Sequence, residues 1–264
     1  MSGAHPPVVL ACGGLDPTGQ AGLAADLRAG ASLGALVAPV AAALTVQDLG
    51  GVRRVDPVDP GLLKEQLRAA LRSLPVAVIK VGLLGGAAQA AALAEVLAEC
   101  PGLPVILDPV LGASTGGSLA EPGYPEALRR LLFPRITLLT PNLPEAGLLL
   151  GEPAPAGSEA QAQAAARLRA LGPAAVLVKG GHAEGGYCSD HLCDEHGGLW
   201  LEAPRLAVPN TRGTGCSLAT LLACLLAQGQ PLRLAAIGAK DALGVMLRKS
   251  AGSQWPSGSG PAGV

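Results

Sequence analysis

The stretch NTRGTGCSLAT, residues 210–220, sets two glycines around a threonine, adds a cysteine and runs straight into apolar sequence. That order builds a seat for an anion at the start of a helix. The first backbone N–H groups of a helix have no partner inside it, and together they carry roughly half a positive charge. Gly213 and Gly215 keep side chains away, so a phosphate can approach those amides closely. A structural cap would account for one Thr or Ser ahead of a helix, but not for Gly-Thr-Gly in a row. The helix is expected to start after Gly215 and to reach about Gln228. Cys216 falls in its first turn, which raises the question why a thiol stands there rather than a carboxylate.

Upstream of the seat, short apolar runs alternate with runs of helical spacing. The runs 7–13, 36–47, 76–85, 103–112, 136–142 and 174–181 read as strands, and 20–34, 59–74, 87–100, 125–134, 143–151 and 159–172 as helices. The clearest helix has Asp59 as N-cap and a stripe of Leu63, Leu67, Leu71 and Leu74. Wholly apolar strands separated by amphipathic helices imply a parallel sheet covered on both faces. After Gly181 the pattern changes to a hairpin over 186–204, with its turn near Glu195–Gly198. A last helix is expected from about Leu232 to Lys249. Residues 1–249 then form one α/β domain, and 250–264, small, polar and rich in Pro and Gly, a disordered tail.

The bulk numbers exclude several classes. With 49% apolar and 15% charged residues, the 264-residue chain can build a large core, made of Ala, Leu and Val because aromatics are only 2%. Net charge is −1, and no basic cluster exceeds Arg129–Arg130, so nucleic-acid binding has no support. The long uncharged stretch 29–47 is broken by Gly30, Gly34 and Pro39 and is not a membrane span. The start lacks a basic, apolar leader, so a cytoplasmic protein with six reduced thiols is expected.

In such sheets ligands bind at the carboxyl ends of the strands, where three further stretches fall. The first, GLDPTGQAGLAAD (14–26), follows a strand; its spacing departs from the dinucleotide fingerprint, leaving either a ligand loop or an ordinary turn. Asp26 lies about a turn inside the helix, where its carboxylate could reach back to a bound hydroxyl. In TPNLPEA (140–146), Asn142 and Glu145 share a helical face. They either hold a hydrated Mg²⁺ and phosphate oxygens, or form a capping box. VLVKGGH (176–182) ends a buried strand with Lys179, either a point charge for a phosphate or a solvated lysine. His182, Cys188, His191, Cys193 and His196 crowd together, but their spacing fits no standard zinc pattern.

Taken together, GLDPTGQAGLAADL, TVQDLGGV, KVGLL, LDPVL, TPNLPEA, VKGGH and NTRGTGCSL resemble the ribokinase superfamily. Within it they are most similar to the hydroxymethylpyrimidine/phosphomethylpyrimidine kinases of thiamine biosynthesis. The resemblance spans about residues 8–248 and implies a three-layer α/β/α fold around a central, mostly parallel sheet. It also implies ATP and Mg²⁺ as cofactors, a homodimer, and phosphorylation of 4-amino-5-hydroxymethyl-2-methylpyrimidine and of its monophosphate.

Where most of the superfamily carries a catalytic aspartate, this branch carries cysteine, here Cys216. By resemblance Cys216 is the base, a thiol whose pKa the helix start lowers, and Gly213, Thr214 and Gly215 hold the transferring group. Asp26, Gln47, Gly14, Leu83 and Val110 would contact the pyrimidine. Lys179, Asn142 and Thr214 would serve ATP, and Asp108 and Glu145 the metal. Three departures stand out. The first glycine-rich loop has Leu15 and Pro17–Thr18 in place of serines, Leu83 replaces a common methionine, and Ser114 stands where many members carry lysine. Two rivals follow: a pyridoxal/pyridoxine kinase, which GTGC in place of GTGD disfavours, and a non-catalytic pyrimidine or nucleotide sensor, which would not need Asn142, Glu145, Lys179 and Cys216 together.

Overall fold

A computed structural model describes residues 5–48, 50–112, 121, 123–181, 185–208, 212–251 and 261–262. Its centre is one nine-stranded sheet in the order β3-β2-β1-β4-β5-β6-β7-β8-β9. The strands β1 (Val8–Leu15), β2 (Leu36–Asp48), β4 (Val78–Val81), β5 (Val105–Leu107), β6 (Leu138–Leu139) and β7 (Ala175–Val178) pair in parallel. The strands β3 (Gly51–Pro57), β8 (Tyr187–Asp194) and β9 (Gly197–Pro204) run antiparallel at the two ends.

Alternation along β1 shows how the strands serve two cores. Leu10 and Cys12 face one side, where α2 (Pro60–Ser73), α3 (Ala87–Glu99), α4 (Tyr124–Leu131), α5 (Leu143–Leu150) and α6 (Ser158–Ala170) pack. Val9 and Ala11 face the other, under α1 (Gly22–Ser32), α7 (Thr214–Ala227) and α8 (Leu232–Ser250). The three-layer α/β/α architecture is therefore as expected. Helix α2 illustrates the local logic. Asp59 accepts the Leu62 N–H at 3.0 Å, Pro60 supplies a preset first turn, and Leu63 and Leu67 are fully buried. Burial of each of these leucines contributes about 1.5–3 kcal/mol.

Two elements differ from the sequence expectations. Strand β3 was not foreseen: Arg53 and Arg54 stand side by side and exposed, so this edge strand lacks the alternation that a core face imposes. Helix α7 starts at Thr214, ahead of the expected start, because left-handed Gly213 (φ 75°) ends the loop there. The hairpin turn at Glu195–His196, between Asp194 and Gly197, is as expected. Of the tail, residues 252–260 and 263–264 lie outside the described residues. Ser250 closes α8, and Pro261 bridges Arg212, whose carbonyl accepts the Ala262 N–H at 3.3 Å. Among the described residues no helix is long and apolar enough to cross a membrane.

Strand order positions the site. From β1 the chain moves to β2 on one side and later returns to β4 on the other. In sheets wound this way ligands bind in a crevice where the direction of winding reverses, here at the carboxyl ends of β1 and β4.

Candidate functional site

Two loops close over that crevice. In the first, between β1 and α1, the carboxylate of Asp16 accepts from Thr18 N–H and Oγ1–H at 2.8 Å, Gln20 N–H at 3.1 Å and Ala21 N–H at 2.8 Å. In the second, Gly213 backs onto the first: a Cβ on it would lie 2.3 Å from the Gln20 carbonyl oxygen. Glycine there is dictated twice, by that contact and by its positive φ. Two helix N-termini, of α1 and α7, thus meet at the crevice, with Gly22 close to Cys216.

Opposite them stand the charged groups. Lys179, one residue past β7, is aligned beside Asn142 by its N–H bond to the Pro141 carbonyl at 2.8 Å. Its ammonium meets Asp108 Oδ1 at 2.6 Å. A Cβ placed on Gly215 would lie 3.3 Å from Lys179 Nζ and 3.8 Å from Asp108 Oδ2, so the cation, this carboxylate and the α7 amides share one space. Burial opposes the charge of Lys179, but Asp108 and Glu145 hold it above the ordinary lysine value.

The capping box between Asn142 and Glu145 is present. Asn142 Oδ1 accepts the Glu145 N–H and Glu145 Oε2 accepts the Asn142 N–H, both at 2.8 Å. Glu145 Oε1 receives only a long bond, 3.4 Å, from Leu111 N–H. Burial first, and then the charge of Asp108, push the Glu145 carboxyl up against the pull of Lys179. Two carboxylates repelling each other beside helix amides fit a hard cation that takes oxygen ligands. Among the described residues no group of three or more His, Cys, Asp or Glu could hold a metal ion. Asp108 and Glu145 would therefore hold Mg²⁺ with further oxygens from phosphate or water, and the amides of Thr214–Cys216 with Lys179 fit the phosphates.

Asp26 departs from the expected substrate contact. It is 0% exposed and bound by Lys80 Nζ at 2.8 and 3.0 Å and by Thr220 Oγ1–H at 2.7 Å. Burial opposes the charge of Lys80, itself only 1% exposed, but Asp26, with Cys216 and Asp108 nearby, holds its pKa above the ordinary lysine value. A helix residue one turn in points at the core here, and a core carboxylate takes the buried cation. The other four expected pyrimidine contacts lie at the strand ends. Leu83 packs against Gly14, whose Cβ would fall 3.0 Å from Leu83 Cδ2. Gln47 is part-exposed and donates to Thr45 Oγ1 at 2.9 Å, and Val110 is part-exposed beyond β5. Ser114 and His182 lie outside the described residues.

Cys216 corrects a second expectation. The helix start was expected to lower its pKa. Instead burial pushes the thiol up to about 11, against the pull of Lys80 and the Gly22 N–H and with the push of Asp26 and Asp108. Unlike Cys12 and Cys224, which are buried in the core, it remains part-exposed at the crevice.

Three residues that organise the site were missed in the sequence: Asp16, Lys80 and Thr220. Lys80 carried a signal, since a charge inside the apolar run VAVIKVGLL demands a buried counter-ion. Thr220 carried none, because a threonine in a helix is unremarkable without its partner.

The profile of the phosphomethylpyrimidine kinase family matches residues 16–262. The chain is 39% identical over 91% of its length to the thiamine biosynthesis bifunctional protein ThiED of Geobacter sulfurreducens, and covers 49% of that protein. It thus spans about half the length of this relative. To the hydroxymethylpyrimidine/phosphomethylpyrimidine kinase of Salmonella typhimurium it is 40% identical, over 82% of this chain and 81% of the relative. The crystal structure of an ADP complex of Bacillus subtilis pyridoxal kinase superposes with a TM-score of 0.88 at 26% identity, covering 97% of this chain and 96% of that one.

Proposed function

The chain belongs to the phosphomethylpyrimidine kinase family, and from that membership we propose that it moves the γ-phosphoryl group of ATP onto a hydroxymethylpyrimidine. The acceptors are 4-amino-5-hydroxymethyl-2-methylpyrimidine and then its monophosphate, giving the pyrophosphate used to make thiamine. Residues 1–249 act as the kinase domain, in a cytoplasmic homodimer.

One observation carries the reading: the Gly215 Cα stands at a helix start with Lys179 and Asp108 close by and Cys216 next in sequence. Phosphoryl transfer is mostly positioning and charge neutralisation, and this space offers both. The amides of α7 and Lys179 hold the transferring phosphate. Asp108 and Glu145 hold Mg²⁺, which when bound neutralises charge developing on the phosphate oxygens. Asp108 must first release Lys179, so the lysine passes from carboxylate to phosphate as ATP enters. Gly14 and Leu83 form the apolar wall for a flat ring, and Gln47 supplies a polar contact at its edge. Cys216 Sγ, as thiolate, takes the proton of the attacking hydroxyl.

A second reading has one observation behind it, the likeness to pyridoxal kinase at a TM-score of 0.88. Its ring also bears a hydroxymethyl group. Coupled ADP release with the pyrimidine alcohol, its monophosphate, pyridoxal and ribose separates the readings. Turnover of the first two supports the thiamine assignment. Turnover of pyridoxal alone replaces it, and tight binding without ADP release leaves a sensor.

A further inference from the structure

Lys80 is a full charge in the middle of an apolar strand, and the chemistry above gives it no task. As a stabilising device the Asp26–Lys80 pair is poorly motivated, since apolar residues of similar volume often serve a core as well or better than a buried ion pair. Its place in the fold supplies another reason.

Two rungs, the lower one hydrogen-bonded, set α1 against α7. Gly22 and Asp26 are four residues apart on α1, and Cys216 and Thr220 four apart on α7, so each pair lies along one helical face. The upper rung sets the Gly22 N–H beside the Cys216 sulfur, whose pKa it pulls down. The lower is the Thr220 Oγ1–H bond to Asp26 Oδ1, at 2.7 Å. Lys80 rises from β4 into the lower rung, and its Nζ lies 3.1 Å from where Gly82 would carry a Cβ, towards the carboxyl end of the strand. The ammonium is thereby locked one helical turn beneath the thiol.

We infer that Lys80 is a positioning residue for Cys216: held by Asp26 and Thr220, its ammonium supplies from the protein side the positive field in which the sulfur can carry negative charge. This extends the reading of Cys216 as proton acceptor. The charged and titratable groups around the sulfur are Lys80 from β4, Asp26 from α1, Asp108 after β5 and Lys179 after β7, with Cys12 of β1 near the ion pair. Of these, Lys80 lowers the thiol's pKa, and Asp26 and Asp108 raise it. On α8, Arg233 is paired with Asp194 and Lys240 with Asp190, both on the distant hairpin.

The test reads the thiol and needs no turnover. Alkylation of Cys216 by iodoacetamide is followed by mass spectrometry of its peptide, from pH 7 to 11, in the ligand-free chain. Wild type is compared with Lys80→Met, Lys80→Arg and the double variant Asp26→Asn/Lys80→Met, which leaves no buried charge unpaired. Only the thiolate reacts, and each unit of pKa changes its fraction about tenfold at neutral pH. Expected at pH 8 are a roughly tenfold slower rate in Lys80→Met, a rate within about twofold of wild type in Lys80→Arg, and at least about threefold slowing in the double variant. Where Lys80→Met does not fold, the double variant decides. An unchanged rate there overturns the inference, as does equal slowing in Lys80→Arg, which would make the effect one of packing. A wild type that alkylates in this manner but releases no ADP removes the proposed function and leaves the role of Lys80 standing.

Discussion

Lys179 Nζ lies 2.6 Å from Asp108 Oδ1, so the cation is held by the carboxylate proposed to hold Mg²⁺. Replacing the lysine removes the charge proposed to bind phosphate and leaves Asp108 buried without this counter-ion. Lys179→Met is expected to raise the KM for ATP and to lower kcat/KM by about a hundredfold or more, the scale of losing one group that stabilises developing charge. Its melting temperature falls as well. Adding Asp108→Asn recovers the melt but not ADP release, which separates the two roles in one thermal and one kinetic measurement.

Glu145 carries both a cap and a proposed metal contact, and a conservative change can divide them. Glutamine at the third helical position still closes a capping box, so Glu145→Gln keeps α5 while neutralising the carboxylate. Half-saturation with Mg²⁺ should move to about tenfold higher concentration, with the melting curve little changed. EDTA should abolish ADP release in both proteins. An unchanged Mg²⁺ titration would assign Glu145 to the cap alone.

The residues proposed to form the walls of this site were easier to read than those that lie under them. Alternating apolar runs located six parallel strands, and strand-end logic pointed to Gly14, Leu83, Asp108 and Lys179, of which Gly14 meets Leu83 and Lys179 meets Asp108. β3 escaped because an edge strand bearing Arg53 and Arg54 has no buried face to pattern. Asp26 was misread because a carboxylate near a glycine-rich loop looks like a ligand contact. Whether it turns outward or inward depends on Lys80 and Thr220, 54 and 194 residues away in sequence. Local spacing cannot report such a partner. The Cys216 pKa failed for a related reason: position in a first turn is legible, the depth of burial around it is not.

That burial makes a sharp kinetic statement. With a thiol near pKa 11, only about one molecule in a thousand carries the thiolate at pH 8. If Cys216 takes the hydroxyl proton, log kcat/KM should climb with a slope near one from about pH 7 to 10. Cys216→Ala should lie about a hundredfold or more below wild type near pH 9, with a flat profile and ATP binding nearly intact. A flat wild-type profile would remove the base role and leave the anion seat.

Two other thiols act on stability. Cys12 and Cys224 are fully buried, and both are pushed from 9.0 to about 12 by burial. The native state therefore keeps protons that the unfolded chain gives up above pH 9. Their stabilising contribution is complete below that pH and is lost between pH 9 and 12, at about 1.4 kcal/mol per pH unit for each thiol. Urea unfolding across this range should show a steeper alkaline loss in wild type than in Cys12→Ala/Cys224→Ala, although that variant is the less stable of the two at pH 7.

The two glycines of the anion seat should fail in opposite ways when given a methyl group. Gly213 has φ 75° and would place a Cβ 2.3 Å from the Gln20 carbonyl oxygen, a backbone atom with no room to move. Gly213→Ala therefore combines left-handed strain, about 1–3 kcal/mol, with a clash that forces the α1 and α7 loops apart. Its melting temperature should drop clearly. Gly215 lies inside α7, where alanine is favoured over glycine by roughly 1 kcal/mol. Its Cβ would sit 3.3 Å from Lys179 Nζ, a side-chain tip that can shift, so the fold should be kept. The methyl group would, however, occupy the space where the amides, Lys179 and Asp108 converge on a phosphate. Gly215→Ala is thus expected to melt at or slightly above wild type while losing most ADP release and raising the KM for ATP. Wild-type kinetics in that variant would mean that the phosphate does not sit over these amides.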